Sequence, residues 1–236
     1  MEFPIRLNKY LAQRGLTSRR EADSLIERRQ VLVNGSPAPL GYMVQATDTV
    51  TLKNKGAKKR YLAYYKGRGI ITHSPAANET DVAMRLQADY GLTNLNPIGR
   101  LDKDSEGLLL LSNDGRLTGP LLDPEAGHEK EYDVIVDKNI TGQFVKHMQA
   151  GVSIEGYRTK PTTVTPHLNN RKRFRIILTE GKKHQIRRMC AALGYQVQTL
   201  KRVRIMHIEL SKLKPNQYRK LTSEELQTLL STLHIN

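Results

Sequence analysis

The spacing of apolar residues along the chain predicts short helices and strands in a mixed order. Apolar side chains recur three and four positions apart, as on one helix face, in residues 7–15, 18–26, 80–91, 141–148, 186–194 and 222–233. Alternating or continuous apolar patterns predict strands at residues 31–33, 50–52, 61–65, 70–72, 108–111, 132–136 and 173–179. Because no regular strand–helix–strand repeat is visible, the sequence predicts an α+β fold rather than a doubly wound α/β fold.

Capping and turn residues sharpen the boundaries of these elements. Ser18 and Glu21 have the spacing of a capping box, Thr80 and Thr141 can each cap a helix, and residues 222–225 predict a cap for the last helix. Asn34-Gly35 predicts a tight turn.

Residues 53–60 are basic and lack large apolar side chains, which predicts a linker. We therefore expect a small module of two helices and strands at 1–55, a linker at 56–60 and a larger domain at 61–236.

The charge balance narrows the class of partner. The 236 residues contain 38 Lys and Arg against 23 Asp and Glu, a formal net charge of +15, which is typical of proteins that bind polyanions. Residues 1–60 carry 12 basic and 5 acidic side chains, and residues 171–204 carry 11 basic side chains and one acid, Glu180. Two separated basic regions predict two nucleic-acid contact surfaces.

The basic side chains of the first region are the candidate phosphate contacts. A solvated helix face is the alternative, but the excess of one sign favours phosphate binding at these positions: Arg6, Lys9, Arg14, Arg19, Arg20, Arg28 and Arg29.

Other classes of site have little support. The seven His residues are scattered and the single Cys190 lies on an apolar helical stripe, so we expect neither a metal site nor a thiol nucleophile, and no cofactor motif is present. No apolar run approaches the roughly 20 residues of a membrane span, and no apolar signal segment follows Met1, so we expect a cytoplasmic protein without membrane contact.

One polar stretch precedes the buried strand predicted at 108–111. On chemistry alone Asp102, in Gly99-Arg100-Leu101-Asp102, would be a loop cap more often than a catalytic group. Residues 99–115 as a whole, however, resemble the signature of one group of RNA pseudouridine synthases, which comprises small-subunit synthase A and large-subunit synthases B, E and F.

Three further stretches carry the same resemblance. Residues 129–132 are similar to the tyrosine-bearing strand of that family, residues 180–189 to its basic strand-to-helix motif, and residues 6–35 to the S4-type RNA-binding module of many members. Residues 128–141 and 202–206 look most similar to the synthase F subgroup. Together these stretches imply an N-terminal S4-type domain and a catalytic domain with a mixed or antiparallel sheet.

The resemblance also implies roles for individual residues. Asp102 matches the catalytic aspartate, Tyr132 the active-site tyrosine, and Arg187 the basic residue that pairs with the aspartate. A carboxylate can act as a nucleophile or as a base toward the sugar, and both roles stay open at this point. The isomerisation gains no atoms, so it implies no cofactor or metal.

Further RNA contacts are expected around this site. Arg100 adjoins the aspartate, and Lys183 and Arg188 belong to the basic motif, although Lys182-Lys183-His184 replaces the Arg- and Asn-containing pattern of many relatives. A lysine lacks the bidentate fork of arginine, which puts specific contacts by Lys183 and His184 in doubt.

The sequence thus predicts a monomeric isomerase that converts uridine to pseudouridine in structured RNA, with a 23S rRNA stem-loop as the first candidate and tRNA as the second. One alternative is a non-catalytic S4-type RNA-binding or ribosome-assembly factor, which leaves Asp102, Tyr132 and Arg187 unexplained. A nuclease is a poorer match, because Asp102 and Asp104 alone do not make the carboxylate cluster that binds metal.

Overall fold

The computed structural model describes residues 2–17, 19–53 and 58–235. The helices are α1 (Leu7–Gln13), α2 (Arg19–Glu27), α3 (Val82–Tyr90), α4 (Thr118–Leu122), α5 (Gly142–Ala150), α6 (Gln185–Ala192) and α7 (Ser223–Thr232), and a 3₁₀ turn covers Gly115–Leu117. The strands are β1 (Ile5–Arg6), β2 (Val31–Val33), β3 (Ser36–Pro37), β4 (Met43–Val44), β5 (Val50–Leu52), β6 (Tyr61–Lys66), β7 (Asn96–Ile98), β8 (Glu106–Ser112), β9 (Lys130–Val136), β10 (Ser153–Ile154), β11 (Tyr157–Arg158), β12 (Thr163–His167), β13 (Asn170–Leu178), β14 (Val197–Ile205), β15 (Ile208–Glu209) and β16 (Tyr218–Lys220).

The first two helices pack with small sheets to form the N-terminal module, residues 5–52. Strands β3, β2 and β5 form one antiparallel sheet, and β1 pairs with β4. Asn34 and Gly35 have φ values of 51° and 82°, the left-handed backbone that a tight hairpin turn needs, and the predicted turn is therefore confirmed. The predicted cap at Ser18 lies outside the described residues, as does linker segment 54–57.

A nine-stranded mixed sheet lies at the centre of the larger domain. Its main order is β12-β13-β9-β14-β8-β6-β16, with β15 beside β14 and β7 beside β8. Strands β14 and β8 are parallel and meet over only two residue pairs, whereas the other neighbours are antiparallel. At this junction Gly107 approaches the Arg202 backbone so closely that a Cβ would lie 2.2 Å from its carbonyl oxygen.

Helices cover both faces of this sheet. Leu108 and Leu110 belong to one buried cluster, whereas Leu109 and Leu111 belong to another on the opposite face. The expectation that strand 108–111 is buried on both sides is confirmed. A third cluster, around Phe174, packs β9, β13 and β14 against α5 and α6. The α+β class is confirmed.

Some predicted boundaries change. Residues 70–72 form no strand, because Ile71 makes a single bridge to Asp81, and the cap of α3 is Asp81 rather than Thr80. Thr141 does cap α5, accepting a hydrogen bond from the Phe144 amide at 3.1 Å, and Thr222 forms the expected capping box. Strand β14, the long strand at the centre of the sheet, was not predicted.

Helix α1 touches the larger domain directly. A Cβ on Gly15 would lie 2.4 Å from the Arg116 side chain, and one on Gly115 would lie 2.6 Å from the carbonyl oxygen of Ala12. Gly15 also has φ +65°, a backbone conformation that glycine adopts readily. Because neither Gly15 nor Gly115 has a side chain, the two parts of the chain can approach this closely.

Candidate active site

Residues 99–105, here called the aspartate loop, connect β7 to β8 and carry Asp102. Gly99 has φ +83°, which turns the chain out of β7, and the Ser105 amide donates to the Asp102 carbonyl at 3.0 Å. The Leu101 side chain is buried, whereas 38% of the Asp102 side chain is exposed. The loop is therefore anchored by its apolar residue while its carboxylate remains accessible.

The segment after β6 holds one side of the aspartate loop. The Thr72 hydroxyl donates to the Leu101 carbonyl at 2.6 Å and accepts from the Leu101 amide at 3.0 Å. One residue beyond Asp102, the Lys103 carbonyl accepts from the Gly69 amide at 2.8 Å. The backbone is thus fixed on both sides of the carboxylate.

Two arginines contact two further carbonyls of the loop. Arg202, on β14, reaches the Arg100 carbonyl at 3.4 Å and that of Leu108 at 2.7 Å. Arg187, on α6, donates to the Asp104 carbonyl at 3.0 Å and lies 3.4 Å from the Ser105 hydroxyl. Within the described ranges Arg187 forms no ion pair with Asp102, so the pairing that the resemblance implied is replaced by contacts with the loop backbone.

The side chain that faces Asp102 is His184. Its Nε2 lies 3.5 Å from Oδ1 of Asp102, and both side chains are partly exposed. His184 caps α6 with a left-handed backbone, φ 53°, which directs the chain from the basic motif into the helix. The sequence analysis left a specific contact by His184 in doubt. The position of His184 immediately before Gln185 in the basic motif was the sequence signal that could have identified it.

A buried lysine lies behind the aspartate loop. Lys66 ends β6 with a fully buried side chain, and its Nζ donates to the carbonyls of Gly67 and Ile70 at 3.0 and 2.6 Å. Burial lowers the pKa of Lys66 to about 8, against the opposing attraction of Asp102 and Glu106. The sequence analysis gave no role to Lys66.

Tyr132 lies half-buried on β9, directly opposite Arg202 on β14 and Ile176 on β13. Since the Arg202 side chain contacts the Arg100 carbonyl, the strand next to Tyr132 also contacts the aspartate loop. The structure thus connects the elements that carry Asp102, Tyr132 and Arg187.

The basic motif that leads into α6 is fixed by a buried acid. Glu180 accepts hydrogen bonds from the Tyr157 hydroxyl at 2.5 Å, the Lys160 amide at 3.1 Å and the Gln185 side chain at 2.6 Å. The Lys182 ammonium lies 4.5 Å from the centre of the Tyr157 ring. These contacts fix the start of α6 and hence His184.

Many cations of the 171–204 region are paired within the chain. Arg173 pairs with Asp133, Arg175 bonds Glu131 at 2.9 Å, and Arg204 bonds Glu129 and Glu131 at 2.9 Å each. This part of the charge stabilises the sheet, which reduces the second basic surface that the sequence predicted.

The predicted RNA contacts around the site differ in availability. Arg100 and Lys183 are exposed. Arg188 instead pairs with Glu155 and donates to the Lys183 carbonyl at 3.3 Å, so it is the contact that the structure favours least.

The cations of the N-terminal module are mostly accessible. Exposed side chains occur at Arg6, Lys9, Arg14, Arg19, Arg28 and Arg29, while the Arg20 side chain lies outside what the structure describes. Arg6 and Lys9 line a cleft of about 460 Å³ together with Gln13 and Met43.

Two other features bear on the chemistry. Cys190 is fully buried and burial raises its pKa to about 12, as expected of a packed thiol. Among the described residues no helix is long and apolar enough to cross a membrane, and no cluster of three His, Cys, Asp or Glu side chains has the arrangement of a metal site.

Comparison with known proteins agrees with this geometry. A family model described as RNA pseudouridylate synthase matches residues 60–192, and an S4 domain model matches residues 5–50. The chain is 39% identical to the dual-specificity RNA pseudouridine synthase RluF of Escherichia coli K12, over 97% of this chain and 79% of that protein.

Other relatives extend over nearly their whole length. The ribosomal large subunit pseudouridine synthase B of Bacillus subtilis is 33% identical, with 95% of each chain covered. A crystal structure of a pseudouridylate synthase matches with a TM-score of 0.71 and 26% identity, covering 95% of this chain and 99% of that one. The chain therefore belongs to the RNA pseudouridine synthase family, carries an S4 domain, and is an isomerase that converts uridine to pseudouridine in RNA.

Proposed function

We propose that this enzyme modifies a uridine in a stem-loop of 23S rRNA and also accepts a tRNA, with Asp102 as its catalytic carboxylate. One relative is named as a synthase of the large ribosomal subunit, which supports rRNA as a substrate, and another is named dual-specificity, which supports a second RNA substrate. The observation that carries the catalytic assignment is the accessible carboxylate on a loop whose backbone is held by Thr72, Gly69, Arg187 and Arg202.

The reaction requires the N1–C1′ bond of uridine to break, the base to turn, and C5 to bond to C1′, while C5 loses a proton and N1 gains one. The target base leaves its stack to reach Asp102, at a cost of roughly a few kcal/mol. Asp102 then acts on the sugar as a nucleophile or as a base. Both roles need a carboxylate in a fixed position, which the bonds to the aspartate loop provide.

Tyr132 and the surrounding cations complete the proposed site. The ring of Tyr132 stacks on the uracil, and its hydroxyl takes part in proton transfer at C5. Arg187 acts by holding the carbonyl of Asp104, and Arg100 contacts the RNA beside the flipped nucleotide. His184 occupies the position next to the carboxylate.

We also propose that residues 1–55 form the RNA-gripping domain, 56–60 the linker and 61–236 the catalytic domain, in a cytoplasmic monomer. The exposed cations of the N-terminal module support the gripping role. Phosphate contacts add affinity without sequence information, so the choice of uridine depends on RNA shape and on the catalytic domain.

Tritium release from RNA labelled at uridine C5 tests the catalytic proposal. Ribosomal RNA and tRNA transcripts are compared with wild type, Asp102→Asn and the matched control Asp104→Asn, an exposed acid of the same loop. We expect release by wild type and Asp104→Asn and none by Asp102→Asn. Equal rates for wild type and Asp102→Asn would refute the assignment, and release from neither RNA would refute the substrate proposal.

Two variants of Tyr132 separate its ring from its hydroxyl. Tyr132→Phe should keep RNA affinity but slow tritium release, because only the hydroxyl is removed. Tyr132→Ala should weaken binding as well. Wild-type tritium release by Tyr132→Phe would remove the hydroxyl from the proposed chemistry.

Salt dependence tests the gripping domain in the intact chain. Neutralising Arg6 and Lys9 together should lower the slope of log affinity against log salt by about 0.7–0.9 for each phosphate that the two side chains neutralise in the wild type. Lys146→Gln, at an exposed position of α5, is the control. An unchanged slope in the double variant would contradict the phosphate binding proposed for these two residues.

A further inference from the structure

Thr72 is a buried polar residue to which neither the family comparisons nor the sequence motifs give a role. It is 3% exposed, and it lies in an irregular segment between β6 and α3. The hydroxyl bonds both backbone groups of Leu101, donating to its carbonyl at 2.6 Å and accepting from its amide at 3.0 Å. A single hydroxyl thus satisfies two buried backbone groups.

The position of these bonds gives them a specific consequence. The Leu101 carbonyl belongs to the peptide group that joins Leu101 to Asp102. Fixing that carbonyl fixes the plane of the peptide group, which contains the nitrogen and Cα of Asp102. Together with the bond from the Ser105 amide to the Asp102 carbonyl, it restrains the direction in which the Asp102 side chain leaves the backbone. Only a group that both donates and accepts hydrogen bonds can make this pair of bonds. Valine, which has the shape of threonine but no hydroxyl, can make neither.

Thr72 is itself held in place by the start of α3. The Ile71 amide donates to the Thr80 carbonyl at 3.0 Å, and the Ile71 carbonyl accepts from the Val82 amide at 3.0 Å. Hydrogen bonds therefore run from the first turn of a helix, through Ile71 and Thr72, to the residue before Asp102.

The same segment restrains the other side of the carboxylate. The Gly69 amide donates to the Lys103 carbonyl at 2.8 Å, and Lys103 forms an ion pair with Glu79 at 2.8 Å. The ion pair is exposed and contributes little by itself. The buried hydroxyl of Thr72 is consequently a stronger restraint than this ion pair.

We propose that Thr72 is a positioning residue for Asp102, which sets the direction of the carboxylate without touching the RNA. This inference rests on the catalytic role proposed for Asp102. A misplacement of about 1 Å at a reacting group can cost about 100-fold in rate. Removal of the hydroxyl therefore slows the chemical step while RNA binding, which uses exposed cations elsewhere, stays the same.

The test compares two variants that lack the Thr72 hydroxyl with one that keeps it. Thr72→Val keeps the shape and removes both bonds, Thr72→Ala removes them without needing space for a second methyl, and Thr72→Ser keeps the hydroxyl. Thr159→Val is the matched control, since its buried hydroxyl accepts from the Val152 amide at 2.9 Å and lies outside the aspartate loop. Each variant is assayed for single-turnover tritium release, RNA affinity and unfolding in urea.

We expect Thr72→Val and Thr72→Ala to lower the single-turnover rate by about 10-fold or more, with RNA affinity within about twofold of wild type. Thr72→Ser should recover the rate to within about threefold. Thr159→Val should lose stability, as a buried hydrogen bond is broken, but should keep the wild-type rate.

Three results would overturn the inference: wild-type rates in both hydroxyl deletions, equal losses in Thr72→Ser and Thr72→Val, or an equal rate loss in Thr159→Val. Asp102→Asn, assayed beside them, separates the two proposals. An inactive Asp102→Asn with a fully active Thr72→Val refutes the positioning role alone, whereas a fully active Asp102→Asn refutes the catalytic assignment and the positioning role with it.

Discussion

The buried ammonium of Lys66 makes the free energy of unfolding of this protein change with pH in the alkaline range. Burial lowers the pKa of Lys66 from 10.5 to about 8, so the folded protein releases this proton at a lower pH than the unfolded chain does. Between these two values the unfolded state binds more protons, and stability therefore rises with pH in that window.

The size of the effect follows from the two pKa values. Each tenfold change in proton affinity corresponds to about 1.4 kcal/mol, so keeping Lys66 charged costs the folded state about 3 kcal/mol at neutral pH. Between pH 7 and pH 10 about 2–3 kcal/mol of this cost disappears. The variant Lys66→Met removes the titrating group and leaves the carbonyls of Gly67 and Ile70 without their donor.

Urea unfolding at pH 7, 8, 9 and 10 measures this contribution as a difference between wild type and Lys66→Met. Comparing the two proteins at each pH removes the titration of other groups. We expect wild type to gain about 2–3 kcal/mol relative to the variant between pH 7 and pH 10. Lys146→Met, at an exposed helix position, shows the effect of a lysine-to-methionine change where no buried group is involved.

Parallel stability curves for wild type and Lys66→Met over this pH range would refute the reasoning. A loss of wild-type stability relative to the variant would refute it as well, because the sign of the effect would be opposite.

Three further variants test the packing by urea or thermal unfolding. Phe174→Ala empties a fully buried position beside the Phe144 ring and should cost about 3–5 kcal/mol; a loss below about 1 kcal/mol would contradict the packed core. Gly107→Ala places a Cβ 2.2 Å from a backbone oxygen and should cost about 3 kcal/mol or more, whereas Gly119→Ala, in open space, should not destabilise the protein; similar effects of the two would contradict the close approach. Thr222→Ala removes the capping box of α7 and should cost about 0.5–2 kcal/mol; an unchanged unfolding curve would show that the cap contributes nothing.

Features that depend on neighbouring residues were predictable from the sequence. The turn at Asn34 and Gly35, the cap at Thr141 and the capping box at Thr222 each need only residues within a few positions. The cap of α3 is the exception, since both Thr80 and Asp81 are capping types and the sequence does not decide between them.

Strand β14 was missed for a different reason. In this strand apolar residues alternate with Lys201, Arg202 and Arg204, and these cations were interpreted from the sequence as part of a surface for RNA. Arg204 instead pairs with Glu129, just before the adjacent strand β9, and with Glu131 near the start of that strand, and Arg202 is buried. Such pairing depends on contacts between residues more than 70 positions apart.

The candidate site likewise contains residues that the sequence identifies and residues that only distant contacts bring into place. The resemblance identified the aspartate loop and the motif that contains Arg187, but His184 and Lys66 acquire their positions only when distant segments meet. His184 approaches Asp102 because Glu180 fixes the start of α6, and Lys66 is buried at the end of β6, opposite Gly107 of β8. The local sequence carries no signal for Lys66, and for His184 it carries only the position before Gln185 in the basic motif.

The close approaches at Gly15 and Gly115 determine how near the two parts of the chain can lie. A side chain at Gly115 would clash with the Ala12 carbonyl, and one at Gly15 would meet the Arg116 side chain. If the module grips phosphates and Asp102 acts on an extruded nucleotide, as proposed, these two absent side chains keep the two RNA-contacting surfaces close together.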